Sequence, residues 1–67
     1  MINEILRVES NDSVALLKIE ATVDDFLDTI LMLEERGHKV TVITEKEYNS
    51  LRAISVPSYS AKKSTTN

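Results

Sequence analysis

The chain has 67 residues, 42% of them hydrophobic and 28% charged, which is enough for one small folded domain and too little for two. The absence of cysteine excludes disulfides, thiolate metal sites and thiol catalysis, and a single histidine and a single glycine leave few parts for an active site. The formal charge of −3 is uneven: residues 1–54 carry eleven acids and six bases, a sum of −5, whereas residues 55–67 add only Lys62 and Lys63.

From Ile2 to Glu9 the apolar residues Ile2, Ile5, Leu6 and Val8 alternate in part, as a half-buried strand requires. Ser10-Asn11-Asp12-Ser13 follows, four residues whose side chains bond their own backbone, so a hairpin turn is expected there. A second strand runs from Val14 to Ala21, with Ala15, Leu17, Ile19 and Ala21 on one face and Leu16, Lys18 and Glu20 on the other.

Thr22 opens a helix by capping the amide of Asp25, and Asp24, Asp25 and Asp28 lie near the positive end of its dipole. From Val23 the apolar residues recur at Phe26, Leu27, Ile30, Leu31 and Leu33, an arc of about 160° that predicts a core-facing stripe. Glu34-Glu35-Arg36-Gly37 ends it, with Gly37 where the chain turns left-handed. His38 to Thr44 reads as a third strand. Thr44-Glu45-Lys46-Glu47 is a capping box that starts a short second helix, which runs to about Ile54 and is closed by Ser55-Val56-Pro57.

This order predicts an α+β fold: a small ββαβ sheet packed by one amphipathic helix, then a short C-terminal helix. Residues 1–54 form a single domain in this reading. Residues 55–67, mostly Ser, Thr, Ala and Pro beside the two lysines, are expected to be a flexible polar tail, because they bury too little to offset about 1–2 kcal/mol of backbone ordering per residue. No run approaches the roughly 18 apolar residues of a membrane span, and Met1-Ile2-Asn3-Glu4 lacks a secretory pattern, so the expected setting is cytoplasmic, away from membranes.

Catalytic chemistry finds no support. His38 has no nucleophile to pair with and reads as a cation at the end of the first helix. The serines lack a G-x-S-x-G elbow, and a lone Gly37 rules out a phosphate-cradling loop. Asp24 and Asp28 share a helix face, but their spacing is not that of a metal-binding loop, so no metal or other cofactor is expected. The stretch His38-Lys39-Val40-Thr41-Val42 and the capped helix behind it resemble the strand-then-helix start of ribbon-helix-helix repressors. That resemblance implies nucleic-acid binding, but it stops at Ile54, where the second helix of the motif is missing, and a pI near 5.0 opposes the electrostatic attraction on which DNA affinity rests.

So small a domain, without disulfide or metal, gains from self-association. Two features indicate where. Met32 sits on the otherwise polar side of the first helix, between Asp25, Asp28 and Arg36, and Ile5 and Leu16 fall on the sheet face opposite their neighbours' stripes. The leading expectation is a non-enzymatic regulatory protein, homodimeric, that binds and modulates another protein as an inhibitor or adaptor of a phage or mobile-element kind. Asp24, Asp25, Asp28, Met32 and Glu35 are its expected partner contacts. The alternatives are a nucleic-acid-binding transcriptional regulator and a small-molecule-sensing dimeric module.

Overall fold

The structure, a computed structural model, describes residues 1–63. Its elements are β1 (Ile2–Glu9), β2 (Val14–Ala21), α1 (Val23–Glu35), β3 (Lys39–Ile43), α2 (Glu45–Ala53) and β4 (Ser58–Lys63). The four strands form one sheet in the order β3-β1-β2-β4. β1 is antiparallel to both β2 and β3, and β2 and β4 run parallel. The fold is therefore α+β as expected, with β1 the one strand that runs against the other three.

The hairpin register sets both faces of the sheet. Leu6 pairs with Leu17, Val8 with Ala15 and Ile2 with Ala21, which puts these six on one face. There Leu6, Ile19 and Ala21 are buried with Phe26 of α1, and Ile30 and Val40 pack against them. The other face carries Ile5, Leu16 and Ile43, covered by Tyr48 and Leu51 of α2 and by Val56. Leu6 and Leu16 are both fully buried on opposite faces, so each central strand is apolar on two sides. Each such side chain contributes about 2–3 kcal/mol of burial. Leu16, expected with Ile5 on a surface for a second copy, is instead buried within the chain beneath Tyr48, Leu51 and Val56, and Ile5 packs beside it.

The chain steps from β2 past β1 to β3 with α1 on one face, then returns across the whole sheet to β4 with α2 on the other. Reversing both the direction and the face keeps the hand of the crossover the same, so one right-handed rule satisfies both connections. This path also corrects the tail. Residues 58–63 pair with β2 from Leu16↔Ser58 to Ala21↔Lys63, the ladder begins with the Leu16 amide donating to the Pro57 carbonyl at 2.8 Å, and the Tyr48 and Ser58 hydroxyls are bonded at 2.8 Å. A parallel edge strand needs only a backbone ladder on one side, and a polar sequence can supply that. The remainder of the expected tail, 64–67, lies outside the described residues.

Both helices end in the same motif. After α1 the His38 amide donates to the Leu33 carbonyl and the Gly37 amide to Glu34, with Gly37 at φ +90°. After α2 the Val56 amide donates to Leu51 and the Ser55 amide to Arg52, and the left-handed residue is Ser55 at φ 67°. The apolar contact that accompanies this motif is Val56 on Leu51. At the start of α2 the Thr44 hydroxyl accepts from the Glu47 amide, as expected, but the Glu47 carboxylate does not reach back. It accepts from Arg7 instead and ties α2 to the central strand.

Ser55→Gly relieves a left-handed side chain and should raise stability by about 0.5–1 kcal/mol in urea unfolding, while Gly37→Ala, whose added methyl meets no atom within 4 Å, should lose about 1 kcal/mol for conformation alone. A chain ending at Pro57 should melt about 10 °C lower or more, because β2 loses its outer ladder. An unchanged melting curve would return residues 58–63 to the tail.

Candidate interaction surface

α1 is a helix of 13 residues, about 20 Å long, capped at both ends and seated on the sheet through Phe26, Thr29, Ile30 and Leu33. Thr22 accepts from the Asp25 amide at 3.2 Å, and the buried Thr29 hydroxyl donates to the Asp25 carbonyl at 2.8 Å, so the N-terminal half is held by side-chain bonds as well as by its own ladder. Relative to Phe26, Asp24, Asp28 and Glu35 point about 160–200° away, straight out from the sheet. All three are exposed. Asp25 and Met32 lie about 100–120° round on one flank, Asp25 half-buried and Met32 at the margin of exposure. The five residues expected from sequence thus share one helix, three on its outer ridge and two on a flank.

Among the described residues no ion pair neutralises that ridge. Among the described residues the ion pairs are Arg7 with Glu9 and Arg7 with Glu47, both on the far side of the sheet. Asp24, Asp28 and Glu35 line the ridge, Asp25 stands on one flank and Glu34 on the other, and Arg36 is the single base of the helix and its cap, so α1 presents a negative outer surface on a rigid support. Among the described residues no group of three or more His, Cys, Asp or Glu side chains is placed to hold a metal ion. His38 is half-buried beside the α1 terminus, where backbone amides take the last carbonyls, and its Nδ1 finds no partner.

The opposite flank differs from the sequence expectation. Val23, Leu27 and Leu31, counted there in the core stripe, stay 55, 51 and 56% exposed. The apolar arc is wider than the strip of sheet beneath it, and the buried side is completed by Thr29 rather than by Leu27 or Leu31. A right-handed crossover turns this flank toward β3 and the Asp25–Met32 flank toward β4. Val42, on the same sheet face by its pairing with Leu6, is 50% exposed at the end of β3 that lies level with the N-terminal half of α1. Tyr59, on that face at the β4 edge, is also left uncovered. The signal for the flank was present in the sequence as the width of the arc.

The other face holds a second feature that sequence reading missed. α2 leaves one corner of the sheet open, a cleft of about 540 Å³ whose lining includes Glu4, Lys18, Glu20, Glu45, Ser60 and Lys62. Lys18 reaches over the Tyr48 ring, 4.6 Å from its centre, at the side of this cleft. None of the described helices is long and apolar enough to cross a membrane. Comparison with protein-family models, curated proteins and solved structures yields no match.

The two flanks should respond differently to substitution. Measured on the dilute single chain, Leu31→Gln should cost about 1 kcal/mol or less, whereas Phe26→Ala, which opens the buried cluster under α1, should cost about 3 kcal/mol. Equal losses would mean that Leu31 is part of the core.

Proposed function

We propose that the chain is a non-enzymatic regulatory protein that acts as a homodimer by binding another protein, with the outer ridge of α1 as its contact surface. The observation that carries this reading is the unneutralised strip of Asp24, Asp28 and Glu35 on a capped, well-seated helix. A rigid row of like charges attracts a surface of opposite charge from a distance and fixes its orientation on arrival, so the fitting partner is a protein with a basic groove or patch. Asp25 and Met32 add a half-buried acid and an adaptable apolar contact at the border of the same strip. An inhibitor or adaptor needs no more than this, because it works by occupying a surface.

The open cleft on the opposite face favours the small-molecule-sensing alternative, since its mixed lining of two lysines, three glutamates and Ser60 suits a small polar ligand. A metabolite panel that shifts the melting temperature by several degrees would support that reading. Nucleic-acid binding draws only on scattered cations and has the weaker electrostatic basis.

Tagged full-length chain retained on a column should capture a basic protein from lysate of its source in a salt-sensitive manner. Asp28→Lys should reduce that capture about tenfold or more, and Met32→Lys should reduce it several-fold, both without a change in melting temperature. Capture that neither substitution alters would remove α1 as the contact surface.

A further inference from the structure

We propose that two copies of the chain pair antiparallel through the β3 edge, with the Val23–Leu27–Leu31 flank of α1 packed on its counterpart across the same two-fold axis. This rests on the homodimer part of the preceding reading and names the surface and the occupant, which is a second copy.

The sheet has two edges, and they are guarded differently. β4 reads Ser-Tyr-Ser-Ala-Lys-Lys, and lysine along an edge is a common device against strand addition. β3 reads Lys-Val-Thr-Val-Ile, four strong strand formers behind one lysine, with one backbone side paired to β1 and the other free among the described residues. Beside the free edge stand the half-exposed Val23, Leu27, Leu31 and Val42. Such patches mark interaction sites when several apolar groups are contiguous.

The β3 sequence is complementary to itself. With the axis through Thr41, Val40 lies opposite the partner's Val42 on the α1 face, and Thr41 opposite the partner's Thr41. The same register brings Lys39 opposite the partner's Ile43, one diagonal step from the partner's Glu45, so the basic start of each strand meets the acidic residue after the end of the other. Even-to-even pairing keeps both copies of α1 on one face of a continuous eight-stranded sheet. The two helix flanks then close over Val40 and Val42. A specific dimer buries about 800 Å² per copy, which the five-residue edge and the two flanks would supply together.

The chain lacks cysteine, so a single introduced thiol gives an unambiguous report. Sedimentation of the full chain over a concentration series should show a dimer, and Thr41→Cys should oxidise to a covalent dimer, since directly opposed residues stand about 4.5–5.5 Å apart. Val42→Lys should weaken dimerisation roughly thirtyfold or more, and Leu31→Lys should act in the same direction. Tyr59→Lys, at the other edge, should leave it unchanged. A monomer at every concentration, or preferential cross-linking through Tyr59→Cys or Met32→Cys, would overturn the proposal. Melting curves of the lysine variants establish that they fold. Sedimentation reads self-pairing alone, so a monomer whose partner capture still depends on Asp28 would overturn the β3 pairing and leave the α1 ridge standing.

Discussion

The double-sided burial of the β1–β2 hairpin constrains everything else in this molecule. Leu6 and Leu17 point to one face of the sheet and Leu16 to the other, so neither face of the two central strands can be left in water. A chain of this length has room for one full helix and one short one, and it places them on opposite sides. The connections follow from that division. α1 bridges two strands separated by β1, and α2 must cross back over the entire sheet, which delivers the chain to the outer side of β2 where a parallel fourth strand can form.

Several local features serve that long return. α2 is only nine residues and has a weakly apolar sequence, so it does not hold the far face by burial alone. Arg7 reaches it from the centre of the sheet through Glu47, Tyr48 is fastened to Ser58 at the start of β4, and Val56 folds back onto Leu51 through the left-handed Ser55. A serine in that conformation carries a conformational cost that glycine would avoid. The chain accepts it at the turn that sends the backbone toward β2, where Val56 must be buried.

Much of this was legible in the residues. The hairpin, both helix starts and the Gly37 stop each have a local cause, an alternating pattern or a side chain that bonds a nearby amide, and such causes act before any tertiary contact forms. β4 was not legible, because Ser58 to Ala61 carry no strong apolar pattern and the strand is held by its neighbour's ladder. The partner of Ile5 and Leu16 was misassigned for a related reason: Tyr48 and Leu51 are too few to announce a buried helix face. On α1 the periodicity marked which residues are apolar but could not say how much of the arc one sheet would cover. The five candidate contact residues share α1 because its cap and periodicity are local signals, whereas the cleft beside α2 depends on the path of the return crossover, which sequence does not encode locally.

The division of α1 into strips limits how copies can meet. The ridge of Asp24, Asp28 and Glu35 repels an identical ridge, so two helices cannot pack through their outermost faces without bringing like charges together. The Asp25–Met32 flank carries Asp25 near its start and Arg36 just past its end, and it turns toward the lysine-guarded β4 edge. The Val23–Leu27–Leu31 flank carries no charge until Glu34 at its C-terminal end, and it adjoins the edge strand with the fewest safeguards. Charge on the ridge would therefore direct any self-pairing to the flank and leave the ridge open toward solvent. A pair formed that way sets two acidic ridges antiparallel on one face, doubling the charge offered to a basic partner without any further residue.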